Sequence, residues 1–194
     1  DGELNYTDYE KIVITDPEEN KIMVQAAIDN EMFSVGYDLE WKGKFMKEET
    51  MYTFQYCCEP DLAIILPIRK ADGTENLELL DTMKIFLEHP KADRMGWNIR
   101  ADDKRLTQRG FVLPDETLGF DGMKAVACFD SRWRKGLETG IKKFTNYRPY
   151  YNEFNKALKA HKVDKDSMSD LMLLEPEAFY RYCAGDAVSH REAC

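Results

Sequence analysis

The sequence lacks the features of several protein classes. Its 194 residues contain no apolar stretch close to the roughly 20 that cross a membrane, the nearest being residues 62–68. The five cysteines are odd in number and show no Cys-x-x-Cys spacing, so neither a disulfide framework nor a zinc site is predicted. No internal repeat or low-complexity tract occurs. We therefore expect a soluble, intracellular protein without membrane contact, folded as one domain over residues 1–194.

Positive charge is also scarce. The chain has 27 lysines and arginines against 36 aspartates and glutamates, a formal net charge of −9. Non-specific binding to duplex nucleic acid relies on basic side chains that displace counterions, so strong autonomous binding of duplex DNA is not expected. Basic residues do form three local clusters, and for each a solvated helix face is the commoner explanation. The clusters are Arg100/Lys104/Arg105, Arg132/Arg134/Lys135 and Lys142/Lys143.

The order of apolar patterns predicts an α/β fold. Residues 1–32 form a preface with a strand at 11–15 and a helix at 16–30, and residues 33–194 form the core. Further strands are predicted at 33–41, 51–58, 61–68 and 93–98, and further helices at 76–88, 100–109, 121–129, 136–144, 150–162 and 175–193. Three consecutive strands favour an antiparallel meander. The later alternation of strand and helix adds parallel strands to the same mixed sheet, which helices flank.

The first acidic pair lies within a predicted strand. Asp38 and Glu40 alternate with apolar residues in Phe-Ser-Val-Gly-Tyr-Asp-Leu-Glu-Trp, so both carboxylates point to one face of the strand. Asp-x-Glu also occurs four times before residue 32, but there it lacks an alternating apolar context. The alternative is that both acids face solvent on an edge strand. The context favours a site that uses the two carboxylates together.

Two further acids are predicted to lie on helices. Asn98 and Asp102 are four residues apart, as are Tyr182 and Asp186, and residues at this spacing share a helix face. Alternatively, Asp102 could interact with the helix dipole and Tyr182 could be a core aromatic residue. Four carboxylates from one strand and two helices form an all-oxygen set, which suits two Mg²⁺ or Mn²⁺ ions on a phosphodiester and argues against zinc.

The order and type of these residues resemble the DnaQ-like 3′→5′ exonucleases of the DEDD superfamily, in the subgroup whose third motif carries tyrosine. The resemblance covers about residues 33–194 and implies a ribonuclease-H-like fold. It implies catalytic roles for Asp38, Glu40, Asp102, Tyr182 and Asp186, of which the four acids would also bind the metal ions. It further suggests weaker substrate contacts through Leu39, Trp41 and Asn98.

The resemblance implies hydrolysis of phosphodiesters from a 3′ end, with release of nucleoside 5′-monophosphates. We expect single-stranded or frayed DNA as the substrate, with RNA as an alternative, and proofreading for a family A DNA polymerase that is joined in cis or acts in trans. Asp121 resembles an aspartate found about 20 residues beyond the second motif of such proofreading domains, although a helix cap is the simpler interpretation.

Two alternatives remain open at this stage. Trp41 directly after the first motif resembles the Werner-type and ribonuclease D-like branch, which would act on RNA or DNA without a polymerase. The second alternative is a non-catalytic scaffold that binds nucleic acid, but the complete set of acids argues against it. Tyr150 and Tyr151 could stack on bases, yet aromatic residues at helical spacing are more often part of a core, and we favour the core.

Overall fold

The computed structural model describes residues 6–43, 49–114 and 119–194. The first five residues of the predicted preface, and residues 44–48 and 115–118 of the predicted core, lie outside these ranges. Within the described residues, six strands form one sheet in the order β1-β4-β3-β2-β5-β6. The strands are β1 (Glu10–Val13), β2 (Ser34–Lys42), β3 (Thr50–Glu59), β4 (Leu62–Pro67), β5 (Asp93–Gly96) and β6 (Phe120–Asp121).

The pairing within the sheet is mixed, as predicted. Strands β2, β3 and β4 form an antiparallel meander, whereas β1 pairs with β4, β5 with β2 and β6 with β5 in parallel. The sequence pattern did not predict β6, because two residues are too few to show alternation. The α/β fold class and the meander with added parallel strands are confirmed.

Helices cover both faces of the sheet. They are α1 (Pro17–Asp29), α2 (Leu77–Asp81), α3 (Lys84–Leu87), α4 (Arg100–Gln108), α5 (Gly122–Phe129), α6 (Leu137–Phe144), α7 (Tyr151–His161), α8 (Leu171–Leu174) and α9 (Pro176–Ala193), with a 3₁₀ helix at Lys165–Asp170. The single helix predicted at 76–88 is divided into α2 and α3. The Thr82 hydroxyl, which lies between them, donates to the Leu79 carbonyl at 2.6 Å and competes with regular helical hydrogen bonding.

Two apolar cores lie on opposite faces of the sheet. Val35, Tyr37 and Leu39 of β2 point into the core that α1 to α4 cover, and the second core lies under α6 to α9. Gly36 faces the second side, where a Cβ atom would lie 2.5 Å from the Arg191 backbone nitrogen. Helix α9 therefore packs directly on the backbone of β2. This contact places the acids of β2 and of α9 on the same side of the sheet.

None of the helices in the described ranges combines the length and the apolar composition needed to cross a lipid bilayer.

Candidate active site

Three carboxylates meet between β2 and α9. Asp38 and Glu40 project from β2 and Asp186 from α9, and a ligand oxygen from each lies within 4.8 Å of the others. Glu40 and Asp186 are only 4% and 3% exposed, and Asp38 is half-buried. Buried carboxylates this close together repel one another unless protons or a cation offset their charge. We refer to these three residues as the acidic cluster.

The proton affinity of the acidic cluster reflects its burial. Burial raises the pKa of Asp38 to about 7, although a hydrogen bond from Gln55 opposes this shift. Burial followed by the charge of Asp38 raises the pKa of Asp186, also to about 7. Burial and the charges of the neighbouring acids raise the pKa of Glu40 well above its ordinary value. The cluster can therefore hold protons near neutral pH when no cation is bound.

Asp102 of α4 lies beside the acidic cluster but outside the 4.8 Å group. Its side chain is 3% exposed, and its Oδ1 atom is buried without a hydrogen-bond partner among the described residues. Burial and the charge of Asp38 raise its pKa, which the guanidinium of Arg105 opposes. The interaction with Asp38 shows that the two carboxylates share one electrostatic environment.

Tyr182 and Asp186 occupy successive turns of α9, as their spacing predicts. The Tyr182 ring stacks on Phe154 of α7 with the ring centroids 3.9 Å apart, and it lines the cleft above the acidic cluster. The core-aromatic alternative is therefore partly correct, because one face of the ring packs on the core. Burial raises the pKa of the Tyr182 hydroxyl well above its ordinary value, so the group stays protonated and can donate a hydrogen bond.

Tyr150 and Tyr151 contact the acidic cluster, which sequence reasoning missed. The Tyr150 hydroxyl donates to Asp186 Oδ1 at 2.5 Å, and the Tyr151 hydroxyl lies 3.3 Å from the same oxygen. Tyr150 is 5% exposed, so its ring belongs to the core as predicted, but its polar end reaches the site. A Cβ atom at position 185 would lie 2.6 Å from this ring, so Gly185 is required for the contact. A glycine inside a predicted helix, next to an acid, was the available signal.

Two further polar side chains support the acids. Gln55 of β3 lies opposite Asp38 in the antiparallel register, and its Nε2 donates to Asp38 Oδ2 at 2.8 Å. His190 lies one helical turn after Asp186, and its Nδ1 is 2.7 Å from the Tyr37 carbonyl oxygen. Burial lowers the pKa of His190, while the charge of Asp186 opposes this shift. Gln55 interrupts an apolar strand, which was the sequence signal for a polar role.

The acidic cluster forms part of the lining of a cleft of about 860 Å³. Other residues of the lining include Trp41, Lys42, Trp97, Leu137, Tyr151, Asp166, Met168 and Tyr182. The Arg105 guanidinium lies 3.5 Å from the centroid of the Trp41 ring and pairs with Glu49, so this member of the first basic cluster supports the cleft wall. Leu39, which was expected to contact substrate, contributes to the cleft lining, but its side chain is 1% exposed and belongs to the core.

The predicted pairing of Asn98 with Asp102 on one helix face is wrong. Helix α4 begins at Arg100, and Asn98 precedes it in a left-handed turn with φ 62°. The Asn98 backbone nitrogen donates to Asp121 Oδ1 at 3.0 Å, and the same oxygen caps α5 by accepting from the Met123 nitrogen at 3.1 Å. The interpretation of Asp121 as a helix cap is therefore confirmed.

The fold is similar to those of several solved proteins. Trypanosoma brucei RNase D in complex with RNA U12 superposes with a TM-score of 0.69 at 18% identity, over 95% of this chain and 61% of that one. The Aedes aegypti Nibbler EXO domain gives 0.59 at 10% identity, over 97% and 88% of the two chains. Brucella melitensis NrnC with bound Mg²⁺ gives 0.55 at 12% identity, over 96% and 77%.

The chain spans less than two thirds of the RNase D chain to which it is similar. No protein-family model matches it, and no curated protein matches it by sequence. The similarity therefore concerns the fold, a ribonuclease-H-like sheet with helices on both faces. This chain has the fold shared by RNase D, the Nibbler EXO domain and NrnC, with an acidic cluster where β2 meets α9.

Proposed function

We propose that the protein is a metal-dependent 3′→5′ exonuclease that acts on single-stranded nucleic acid. The observation that carries this proposal is the acidic cluster, in which Asp38, Glu40 and Asp186 lie within 4.8 Å of one another at an open cleft. These acids form no ion pair with a lysine or arginine of the described residues, and carboxylates this close together are unfavourable unless they bind cations or protons. Their position next to an aromatic-lined cleft suits a phosphodiester whose bases need an apolar surface.

The residues fit divalent ions of the Mg²⁺ or Mn²⁺ type. The ligands are all carboxylate oxygens, and the unpartnered Oδ1 of Asp102 adds a fourth acid beside the cluster. We assign one ion to Asp38, Glu40 and Asp186, and a second to Asp38 and Asp102. Such ions would supply the positive charge that offsets the phosphodiester and would favour attack by water.

The remaining side chains have positioning roles in this proposal. The Tyr182 hydroxyl, held protonated by burial, would orient the attacking water in the cleft. Tyr150 holds Asp186 through its 2.5 Å hydrogen bond, and Gln55 holds Asp38 through its 2.8 Å hydrogen bond. One acid on each of the two elements, Asp38 on β2 and Asp186 on α9, therefore has a partner that fixes its orientation.

RNA is the substrate that we place first. One compared structure is an RNase D complexed with RNA, and Trp41, which follows the first motif, lines the cleft. Proofreading for a family A DNA polymerase, which the sequence resemblance first suggested, is the second candidate and rests on that resemblance alone. The two candidate functions differ in whether the site accepts the ribose 2′-hydroxyl, so the relative rates on RNA and DNA separate them.

The test is a time course on 5′-labelled single-stranded RNA and DNA of one sequence, with Mg²⁺, Mn²⁺ or EDTA. We expect a ladder that shortens from the 3′ end, requires a divalent ion and is absent in Asp38→Ala. Asp29→Asn is the matched control, because Asp29 is an exposed acid at the end of α1 and should behave like the wild type. Degradation that persists in EDTA, or in Asp38→Ala, would rule out the proposal.

A further inference from the structure

Three aromatic side chains form an exposed surface where α5 and α6 end. Phe129 is 75% exposed and Phe144 is 45% exposed, which is unusual for phenylalanine. The Trp133 ring lies between them, with its centroid 5.3 Å from that of Phe129 and 6.2 Å from that of Phe144. We call these three residues the aromatic patch. A contiguous exposed surface of this kind commonly marks a binding site.

The segment that carries the aromatic patch is rich in basic residues, although the chain as a whole is acidic. The Lys143 ammonium lies 3.7 Å from the Trp133 ring centroid, a cation–π geometry. Arg134 and Lys135 form no ion pair with a carboxylate of the described residues, whereas Arg132 is paired with Asp130. Charge of this sign beside flat apolar rings is complementary to a nucleic-acid strand.

The segment that carries the aromatic patch is tied to the cleft through Trp97. The Trp97 indole lines the cleft and donates to the Lys135 carbonyl at 2.6 Å, which ties the α5–α6 loop to the cleft wall. A Cβ atom at Gly122 or Gly140 would lie 2.7 Å or 2.5 Å from the same indole, so both helices pack on it. Phe129 is seven residues along α5 from Gly122, about 10 Å at the usual helical rise.

We propose that the aromatic patch binds the segment of a single-stranded substrate that lies upstream of the cleft, by stacking with its bases. This inference rests on the proposed function and extends it, because it assigns a second contact outside the acidic cluster. A strand whose 3′ end reaches the acids would leave the cleft past Trp97 and Leu137, which line it, and would continue toward the aromatic patch. Stacking tolerates any base, so the contact would favour longer strands irrespective of sequence.

The occupant is a nucleic acid because of the charge around the rings. A second copy of this chain would cover the rings with its own aromatic patch, and the basic residues beside the two patches would then face like charges. A single strand matches both features, because its phosphates face cations while its bases face rings. This second contact would also strengthen substrate binding, which is expected to be weak for an acidic protein.

The test measures binding and turnover for strands of two lengths. The substrates are a strand of about twelve nucleotides, the same strand with abasic positions upstream of the 3′ end, and a dinucleotide. For the variant Phe129→Ala/Trp133→Leu we expect a rise of about fivefold or more in KM and in the dissociation constant for the long strand. Turnover of the dinucleotide, which is too short to reach the patch, should change by about twofold or less.

Matched variants separate stacking from a general loss of fold. Phe144→Ala removes a ring of the patch, and Phe120→Ala removes a ring of similar exposure, 43% against 45%, on β6. Only Phe144→Ala should weaken binding of the long strand. The wild type should bind the abasic strand as weakly as the double variant binds the intact strand. Affinity should fall no further when the double variant is tested with the abasic strand, because the same stacking contact is already lost.

Three results would overturn the inference. The first is an equal loss for long and short substrates, and the second is unchanged affinity for the long strand in the double variant. The third is a change of oligomeric state in that variant, since the patch would then be an interface between two copies.

Binding is measured in EDTA, where no hydrolysis is expected. If the wild-type protein binds strands through the patch but never shortens them, the proposed function is refuted and the inferred contact at the patch still holds.

Discussion

The two sides of the acidic cluster hold their carboxylates in different ways. On β2, Asp38 and Glu40 are placed by the alternation of one strand and by a hydrogen bond from the neighbouring strand. On α9, Asp186 is placed by a hydrogen bond from Tyr150, which precedes the separate helix α7 and reaches the acid only because Gly185 leaves room. The first side depends on local periodicity, and the second depends on tertiary packing.

Removal of a β2 ligand is expected to have the largest effect. Asp38→Ala should lower kcat by about 10³-fold or more, beyond the loss of a single hydrogen-bond donor, because Asp38 is assigned to both ions. Tyr182→Phe on α9 should lower kcat by about 10²-fold or less and leave metal binding intact. Single-turnover rates and metal titrations measure the two effects. Equal loss of rate in both variants would contradict the assigned roles.

A methyl group at position 185 should disrupt the α9 side alone. Gly185→Ala would place its Cβ 2.6 Å from the Tyr150 ring, and relief of this clash moves the hydroxyl away from Asp186. We expect destabilisation by about 1–3 kcal/mol and a large fall in activity. Gly136→Ala is the matched control, because apart from its chain neighbours no described residue has an atom within 4 Å of its Cβ position. Denaturant unfolding and activity at low temperature measure the two effects, and wild-type activity in Gly185→Ala would refute the role of Tyr150.

The hydrogen bonds on the two sides can be compared directly. Tyr150→Phe should weaken Mg²⁺ binding by about 10-fold to 100-fold, as expected when a group that orients a ligand is lost. Gln55→Met should have a smaller effect, because Asp38 is half-buried, so water can replace the lost hydrogen bond there, whereas Asp186 is only 3% exposed. Tyr147→Phe is the control, since its hydroxyl donates to Asp61 and not to the site. Metal titrations would contradict this order if Gln55→Met proved the weaker binder.

The last expected effect, a dependence of stability on pH, concerns the acidic cluster as a whole and not one side of it. Burial raises the pKa of Asp38 and of Asp186 to about 7, from about 3.9 in an unfolded chain. Between these values the folded state retains protons that the unfolded chain has released, so stability in EDTA should fall as pH rises through this window. Excess Mg²⁺ should raise the unfolding midpoint more at about pH 8 than at about pH 5, because it binds ionised carboxylates.

Thermal unfolding in EDTA across this range measures the effect, with Asp38→Asn as the reference that lacks one of the titrating groups. The fall in midpoint with rising pH should be smaller in this variant. A wild-type midpoint that rises with pH in the absence of metal ions would show that the carboxylates are not held as the structure indicates.

The same contrast explains what the sequence could predict. Strand β2 was predicted to within one residue of its bounds because period-two alternation is visible in the sequence itself. The four-residue spacing of Tyr182 and Asp186 likewise predicted that they share one face of a helix, and both lie on α9. The 3₁₀ helix at 165–170 and the short helix α8 were not predicted, because each has too few residues for a helical pattern.

Contacts between distant residues could not be predicted in this way. Tyr150 and Asp186 are 36 residues apart, and Gln55 and Asp38 are 17 apart. Asn98 was placed on α4 because the spacing suited a helix, although the chain forms a left-handed turn there before the helix begins. Spacing indicates which residues of one element share a face. It does not indicate which side chain of another element completes the site.

The direct packing of α9 on the backbone at Gly36 fixes how far apart the two carriers of the acids lie. No side chain separates them there, so neither can move toward the other, and a larger residue at position 36 would force them apart. The spacing of the acids is thus set by two backbones in contact. Changes in the cleft walls, at Trp41 or Trp97, would therefore alter the shape of the cleft without altering the distance between the acids.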